Sequence, residues 1–306
     1  MHEASGRVMG CAASVMVVAD DADLAGRAFD RLGELERRWS RFLPDSEVSR
    51  VNDSHGAPCV VSGDTAMLAE LLCRSWRETD GRFDPTQLDA LVALGYAHSW
   101  GDDRNGPGAV APARRAQGCD GIRVDRDRNL VWLPEGVRLD PGGLGKGLAA
   151  DLVAGEVIDA GARGVLVDIG GDVRVMGEPP WGDAWCISVE HPRDPERVLA
   201  HVMLAEGGVA TTSRAYRSWS LPDGEEVHHV LDPASGRPAA VDWLAATVVA
   251  PTAWQAEAGA KVAFVDGALT HAPQCAAGLL LFADGRVERL GADDGSIELV
   301  RAEAAG

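Results

Sequence analysis

A glycine-rich segment with a single lysine, residues 139–151, has the composition of an anion-binding loop. Apolar residues 137–139 lead into it and an apolar run with helical spacing follows, so we expect a strand, a tight loop and a helix. Glycines let a backbone approach a ligand closely, and the first N–H groups of a helix favour an anion. Lys146 adds a positive charge at this place. An ordinary strand-to-helix turn has the same features, and the spacing matches neither a Rossmann fingerprint nor a P-loop.

Four other segments accompany this loop, namely Trp39–Asn52, Thr79–Thr86, Val167–Val173 and His229–Pro238. The last of them contains the pattern H-x-x-D-P-x-x-G. In chain order, the five motifs resemble those of the FAD:protein FMN transferase family, also called the ApbE family. The resemblance extends from Met9 to about Leu290, which is nearly the whole chain. Five ordered motifs are far more specific than any one of them.

The resemblance implies a mixed α/β (α+β) fold of the ApbE type. Two intimately packed subdomains would hold FAD in the cleft between them, and residues 1–306 would form a single FAD-binding domain. Members of the family bind FAD, split its pyrophosphate with the help of Mg²⁺ and transfer FMN to a threonine hydroxyl of a target protein. This chemistry needs apolar contacts for the flavin, cations for the pyrophosphate and stabilisation of the leaving AMP.

The resemblance also assigns positions that contact FAD. These are Met9, Phe42, Arg82, Phe83, Asp84, Asp140, Lys146, Gly170, Gly171, Asp172 and His229. His229 stands at the histidine of the H-x-x-D-P-x-x-G pattern, which implies a phosphate contact or a proton transfer. From residue type alone, Met9 and Phe42 fit a hydrophobic core better than a cofactor contact. Likewise, Asp84 and the segment 170–172 fit ordinary turns.

The chain departs from the family where the resemblance implies a metal site. Members carry an aspartate and, four residues later, a threonine, which hold Mg²⁺ together with a carbonyl of the glycine-rich loop, here Gly143. This chain has Glu257 and Lys261 at those positions. An ammonium has no lone pair and repels a metal ion, so we expect weak Mg²⁺ binding at a degraded site. Lys261 would instead pair with Glu257 or with the FAD pyrophosphate. A solvent-facing Glu–Lys pair is the alternative.

A second departure lies at Arg214, where members of the family have a glycine. Arginine adds bulk and charge, so we expect Arg214 to lie near the cleft and to fill part of the entrance for the acceptor protein.

Two functions follow from these departures. In the first, the chain binds or sequesters FAD and transfers FMN poorly or not at all. In the second, it is an active Mg-dependent FAD:protein FMN transferase, with His229 as the catalytic residue and a threonine of an acceptor protein as the target. The sequence favours the first, because an ammonium cannot polarise a pyrophosphate as a metal ion does. A flavin-dependent redox enzyme is a third interpretation, although nothing in the sequence marks a hydride site.

Composition excludes several other classes of function. A formal net charge of −18 argues against a nucleic-acid-binding or anionic-membrane surface. The six cysteines include no C-x-x-C pair, which is typical of reduced thiols in a cytosolic chain. The first residues resemble no signal peptide, and no apolar run approaches the ~20 residues needed to span a bilayer. We therefore expect a cytoplasmic protein without a membrane anchor.

Apolar periodicity predicts the elements that must position the candidate residues. A helix is predicted after a cap at Asp20 or Asp21, with apolar positions from Leu24 to Trp39. Further helices are predicted at residues 64–78 and 252–265, and the last would carry Glu257 and Lys261. Strands are predicted at residues 8–18, 164–169, 185–189, 198–204 and 244–249. Residues 275–282 and 286–290 are predicted to form a closing hairpin with its turn at Asp284-Gly285. The Gly-, Pro- and Arg-rich residues 101–121 are predicted to form an exposed loop.

Overall fold

The structure is a computed structural model that describes residues 1–99, 116–292 and 295–300. The helices of this part are α1 (Leu24–Trp39), α2 (Glu47–Asn52), α3 (Gly63–Glu78), α4 (Leu88–Ala93), α5 (Gly145–Asp159) and α6 (Ala253–Asp266). Its strands are β1 (His2–Val8), β2 (Cys11–Val18), β3 (Cys59–Val60), β4 (Arg123–Asp125), β5 (Leu130–Trp132), β6 (Gly164–Ile169), β7 (Asp172–Gly177), β8 (Trp185–His191), β9 (Asp194–Leu204), β10 (Gly207–Ser213), β11 (Ser218–Ser220), β12 (Glu226–His228), β13 (Leu231–Asp232), β14 (Arg237–Pro238), β15 (Trp243–Ala250), β16 (Ala277–Phe282), β17 (Val287–Gly291) and β18 (Ile297–Leu299).

An eight-stranded antiparallel sheet forms the centre of the fold, with the strand order β1-β2-β6-β7-β10-β15-β16-β17. Strands β2 and β6 are paired from Ala13 opposite Ile169 to Val18 opposite Gly164, which joins distant parts of the chain. The other strands form small sheets with the orders β18-β9-β8, β3-β5-β4, β11-β12 and β13-β14. Antiparallel sheets combined with helices confirm the predicted mixed α+β class.

Both faces of the large sheet are covered by apolar side chains. On one face, Val15 of β2 belongs to a fully buried cluster with Leu32 of α1 and Val153 of α5. On the other face, Val175 of β7 packs in a cluster with Val202 of β9. Burying one such side chain stabilises the fold by roughly 1.5–3 kcal/mol. The sheet is therefore a rigid platform between two layers, and α5 and α6 are fixed against it.

Helices α5 and α6 lie in close contact, which brings the glycine-rich segment beside the predicted metal position. The contact depends on Gly147 of α5, where a Cβ would lie 2.4 Å from the carbonyl oxygen of Ala253 and 2.7 Å from the Cα of Trp254. Only glycine allows the two backbones to approach so closely.

Replacing Gly147 with alanine is expected to lower the free energy of unfolding by about 1–3 kcal/mol, because the new methyl group would overlap backbone atoms. Gly155 is a matched control on the same helix, since no described atom outside that helix lies within 4 Å of its Cβ position. Gly155→Ala should raise the free energy of unfolding by roughly 0.5–1 kcal/mol. Urea unfolding measures both, and equal effects of the two substitutions would contradict this helix packing.

An aspartate of α5 fixes the start of α6. The Asp151 carboxylate accepts hydrogen bonds from the backbone N–H groups of Ala253 (3.0 Å) and Trp254 (2.9 Å). These are N–H groups of the first helical turn, which have no partner within their own helix. Arg174 of β7 lies 3.2 Å from Asp151 and donates a hydrogen bond of 2.8 Å to the carbonyl of Pro251. The position of α6 is therefore set by side chains of α5 and of the sheet.

Most of the predicted elements are confirmed. Helix α1 carries the predicted apolar positions from Leu24 to Trp39, but the cap predicted at Asp20 or Asp21 is wrong, since the residue before the helix is Asp23. Strand β6 has the predicted bounds, and α3 and α6 differ from the predicted bounds by one residue at their ends. Strands β16 and β17 form the predicted closing hairpin, with Gly285 in its turn at φ +88°.

Two of the predicted strands are wrong. The strand predicted at residues 8–18 is broken by a turn at Met9-Gly10, which separates β1 from β2. The lead-in at residues 137–139 forms no strand. Instead, the Asn52 side chain accepts a hydrogen bond from the Leu139 N–H (2.7 Å) and donates one to its carbonyl (2.9 Å). One side chain thus satisfies the backbone groups that a neighbouring strand would have paired.

The prediction of an exposed loop at residues 101–121 is tested only in part. Residues 101–115 lie outside the described residues. Residues 116–121 contain no helix or strand, but Gly118 and Cys119 are buried rather than exposed. Gly118 lies against the ring of Trp76, where a Cβ would come within 2.7 Å of a ring carbon.

Candidate active site

An open cleft lies beside the glycine-rich loop at the start of α5. Its empty volume is about 1300 Å³, including the part open to solvent, and small-molecule sites typically enclose ~300–1,000 Å³. Ten of the fourteen residues predicted from the sequence line it, namely Met9, Phe42, Arg82, Phe83, Asp84, Asp140, Gly143, Lys146, His229 and Lys261. The cleft therefore gathers residues from almost the whole length of the chain.

One end of the cleft is aromatic. The Arg41 guanidinium lies over the ring of Phe42, 4.2 Å from its centroid, and 4.7 Å from the ring centroid of Tyr96. Arg41 also donates a hydrogen bond to the carbonyl of Tyr96 (3.1 Å) and lies 3.4 Å from the Asp140 carboxylate. A guanidinium that stacks on two rings and pairs with a carboxylate has little conformational freedom. Arg41 therefore holds the ring of Phe42 in place as an apolar surface of the cleft.

Met9 lies at the turn between β1 and β2 in an unusual backbone conformation. Its φ is +51°, and the following Gly10 has a φ of +75°. Two-residue hairpin turns of this kind favour asparagine, aspartate or glycine, and methionine is rare in the left-handed region. The turn holds Met9 in the lining of the cleft. A residue held in this conformation in the lining of a cleft is a reason to infer a functional constraint there.

The segment 82–84 forms the wall of the cleft next to the glycine-rich loop. Phe83 is buried, and its backbone N–H donates a hydrogen bond to the Thr79 hydroxyl (3.0 Å). Arg82 pairs with Asp266 at the end of α6 (3.3 Å). Burial raises the pKa of Asp84, although hydrogen bonds from Thr86 to its carboxylate oppose this. All three residues therefore line the cleft and also make contacts that stabilise the fold.

Lys146 joins the cleft to a pair of buried carboxylates. Its ammonium contacts the Asp172 carboxylate and lies 3.1 Å from Oε1 of Glu257. The other Glu257 oxygen accepts a hydrogen bond from the backbone N–H of Gly147 (2.8 Å). Glu257 and Asp172 are 2% and 1% exposed and do not line the cleft within the described part of the chain. They act on the cleft through Lys146.

Gly170 and Gly171 are likewise not among the described residues that line the cleft. They form the turn between β6 and β7, with φ values of +65° and +87°. The Gly171 N–H donates a hydrogen bond to the Asp168 carboxylate (2.8 Å), and Gly170 lies against Cys11. From residue type alone, these glycines also fit an ordinary turn between two strands. The structure agrees with that turn better than with the predicted wall of the site.

Lys261 extends from α6 across the face of Gly143. A Cβ at Gly143 would lie 2.8 Å from Cε and 3.1 Å from Cδ of Lys261, and 2.6 Å from the ring of Phe83. The solvent-facing Glu–Lys pair is therefore wrong, because Lys261 is only partly exposed and points into the cleft. Burial lowers the pKa of Lys261 to about 8, with the Glu257 charge acting in the opposite direction. The side chain is mostly protonated at pH 7.

His229 lies beside this lysine. Its backbone N–H donates a hydrogen bond to the carbonyl of Arg217 (3.1 Å). Its Nδ1 is buried and has no hydrogen-bond partner among the described residues. Burial and the neighbouring charges of Lys261 and Arg217 hold the pKa of His229 well below its usual range, so the imidazole is neutral at pH 7. A neutral imidazole with a free nitrogen can accept a proton.

Comparison with known proteins agrees with this arrangement. The model of the ApbE family matches residues 9–277 of the chain, which is well over half of its length. The chain belongs to the ApbE family. The resemblance found in the sequence is thereby confirmed, and residues Met9 and His229 of the cleft both lie within the matched part.

Several relatives and solved structures cover most of this ApbE-family chain. The FAD:protein FMN transferase of Salmonella typhimurium is 30% identical over 266 residues, covering 82% of this chain and 75% of that protein. The protein of the same name from Haemophilus influenzae is 26% identical and covers 86% of this chain and 80% of its own length. The ApbE protein of Thermotoga maritima has a TM-score of 0.81 at 25% identity, covering 94% of this chain and 96% of that chain. The apo form of the flavinyl transferase ApbE of Pseudomonas stutzeri has a TM-score of 0.79 at 25% identity and covers 96% of both chains.

The metal position implied for ApbE proteins does not fit Mg²⁺ in this chain. Mg²⁺ takes oxygen ligands in near-ideal octahedral geometry. Oε2 of Glu257 accepts the hydrogen bond from Gly147, and Oε1 has no hydrogen-bond partner among the described residues but lies 3.1 Å from the Lys146 ammonium. The side chain of Lys261, which has no lone pair to offer a metal ion, lies against Gly143. Across residues 1–99, 116–292 and 295–300, no group of three or more His, Cys, Asp or Glu side chains could hold a metal ion. We therefore assign no reaction step to a metal in this cleft.

The sequence prediction did not include several residues of the cleft, three of which carry charge or an aromatic ring that the site uses, and it placed Arg214 near the cleft where the structure does not. Arg41 and Tyr96 form its aromatic end, and Arg217 lines it near His229. Arg41 lies in the motif that carried the resemblance, but no signal in the sequence indicated Tyr96 or Arg217. Arg214 was predicted near the cleft and is not among the described residues that line it. Its backbone N–H pairs with the carbonyl of Leu244, and its charge acts on His228 instead.

No helix in the described ranges has both the length and the hydropathy that crossing a bilayer would require. The cytoplasmic location remains a prediction from the sequence.

Proposed function

We propose that this chain, as a single domain, binds FAD in the cleft and transfers its FMN part to a hydroxyl group of an acceptor protein. The observation that carries the proposal is the convergence of ten predicted residues on one cleft with an aromatic end and a cationic end. Family membership supports it, and so do the names of the relatives, which are FAD:protein FMN transferases. These names favour transfer over the storage of FAD that the sequence alone suggested.

The two ends of the cleft suit the two chemical parts of FAD. The isoalloxazine needs an apolar, preferably aromatic surface, and Phe42 and Met9 offer one beside the stacked Arg41. The pyrophosphate needs positive charge and N–H donors. Lys146 in the first turn of α5 and Lys261 of α6 supply ammonium groups that line this end of the cleft.

The transfer is a displacement at phosphorus. The acceptor hydroxyl oxygen forms a bond to the FMN phosphorus, the bond from that phosphorus to the bridging oxygen breaks, and AMP leaves with that oxygen. The hydroxyl proton must pass to a base. His229 is the candidate, because it lines the cleft and its imidazole is neutral. Lys146 and Lys261 would stabilise the charge that develops on the leaving AMP.

Storage of FAD without transfer is the second candidate, and one specific observation favours it. Lys261 occupies the face of Gly143 where the family resemblance implies a metal ion. A fixed ammonium holds a pyrophosphate but does not polarise it as strongly as a divalent ion. A flavin-dependent redox function has no supporting observation among the described residues.

Transfer is tested with an acceptor domain that the Salmonella relative flavinylates under the same conditions, so that the relative serves as the positive control. The chain is incubated with FAD and this domain, and covalent flavin is followed by fluorescence in a denaturing gel. We expect labelling of the domain and release of AMP. FAD that co-purifies with the chain but is never transferred would establish storage instead. A chain that neither binds nor transfers FAD would overturn the proposal.

A further inference from the structure

Lysine is almost absent from this chain, and both of its lysines line the same cleft. Of the 29 lysine and arginine residues, Lys146 and Lys261 are the two lysines, and the other 27 are arginines. An ammonium is a compact point charge, whereas a guanidinium is broad and planar. In a chain that uses arginine almost everywhere else, two ammonium groups converge on one place.

The two lysines differ in their partners. Lys146 forms ion pairs with two buried carboxylates, Asp172 and Glu257. Lys261 has no ion-pair partner within 4 Å among the described residues, although it lies one helical turn from Glu257 on α6. A partly buried cation without a partner is costly. An anion bound in the cleft would remove that cost.

Lys261 also occupies the space that a metal ion would need. Its Cε and Cδ lie against the backbone of Gly143. Oε2 of Glu257 accepts the Gly147 N–H hydrogen bond, and Oε1 forms an ion pair with Lys146 at 3.1 Å without a hydrogen bond. Bringing a divalent cation beside Gly143 would require Lys261 to leave and the Lys146–Glu257 pair to open. The ammonium group supplies positive charge at the same place without either change.

We propose that Lys261 takes the place of a divalent metal ion, so that this chain binds the pyrophosphate of FAD without any metal. The inference rests on the proposed function, because it requires FAD to bind in this cleft. It deepens that function by naming the group that neutralises the pyrophosphate. Its consequence is that chelators should not release FAD from this protein.

Titration calorimetry with FAD tests the inference. One titration contains excess EDTA and the other contains millimolar Mg²⁺, and both use the unmodified chain. We expect dissociation constants that agree within about twofold. Binding that weakens tenfold or more in EDTA would overturn the metal-free site while leaving the proposed function intact. FAD that binds under neither condition would overturn both.

A matched pair of variants distinguishes the effect of the Lys261 charge on FAD affinity from the effect of the net charge of the protein. Lys261→Met keeps most of the side-chain volume and removes the ammonium, so FAD should bind at least about tenfold more weakly in EDTA. Arg128→Met removes a positive charge from a side chain that is 77% exposed, and its affinity for FAD should stay within twofold. Thermal unfolding confirms that both variants fold. An unchanged affinity of Lys261→Met would overturn the proposal.

The scarcity of lysine allows a second readout that needs no activity. Reductive methylation with ¹³C-formaldehyde labels the two lysines and the terminal amine, so the NMR spectrum contains three methylamine signals. The Lys261 signal is assigned by its loss in Lys261→Met. Addition of FAD in EDTA should shift this signal. A spectrum in which FAD shifts the Lys146 signal alone would contradict a direct role of Lys261.

Discussion

Replacing His229 with glutamine is expected to lower the rate of FMN transfer by ~10²–10⁴-fold, which is the usual contribution of general acid–base catalysis. The affinity for FAD should change far less. In the unmodified chain the imidazole is neutral, its Nδ1 is without a described hydrogen-bond partner, and its ring lies in the cleft beside Lys261. Glutamine has similar polarity but cannot accept and release a proton at neutral pH. Single-turnover transfer at saturating FAD measures the effect.

A second histidine provides the control for this substitution. His201 lies on β9, in the small sheet on the opposite side of the large sheet from the α1–α5 layer. His201→Gln should leave both transfer and FAD affinity unchanged. If His229→Gln instead loses FAD binding in proportion to transfer, His229 is a phosphate contact and not the proton acceptor. If it transfers FMN at the normal rate, the proton acceptor is another group.

Replacing Asp151 with alanine is expected to lower the free energy of unfolding by about 3–5 kcal/mol, as is typical when one partner of a buried ion pair is removed. The Arg174 side chain, which is 6% exposed, would lose one of its two carboxylate partners. The backbone N–H groups of Ala253 and Trp254 would lose their acceptor. Because this carboxylate fixes the start of α6, the variant should also bind FAD more weakly, through displacement of Lys261.

Asp159 of the same helix is the control, since it is exposed near the end of α5. Asp159→Ala should change the free energy of unfolding by less than about 0.5 kcal/mol. Urea denaturation followed by circular dichroism compares the two variants. A loss below about 1 kcal/mol for Asp151→Ala would show that water replaces the carboxylate at the start of α6. The close contact between α5 and α6 would then not depend on this residue.

Much of the fold was predictable because apolar periodicity depends only on local sequence. The spacing of Leu24, Leu32 and Trp39 on α1 matches the burial found in the structure. The strand predicted at residues 8–18 was wrong because Met9 adopts a backbone conformation that its residue type disfavours. No pattern signals that methionine will occupy a hairpin turn. The wider fold holds it there.

Residues of the cleft that lie in sequence motifs could be predicted. Residues that reach the cleft only through tertiary packing could not. The motifs named Lys146 and His229, and both residues line the cleft. They gave no indication of Tyr96 or Arg217, because those residues reach the cleft through the packing of distant segments. The position of Lys261 against Gly143 agrees with the spacing from Glu257, since residues four apart lie on one face of a helix.

On the function proposed here, this cleft is the FAD site of the protein and its lysines hold the pyrophosphate. A crystal structure of the chain grown with FAD in the presence of EDTA tests it most directly. We predict electron density for FAD with the pyrophosphate between Lys146 and Lys261, the isoalloxazine against Phe42, and no metal ion at Gly143. A cleft that stays empty at saturating FAD, or flavin bound elsewhere on the molecule, would contradict the claim.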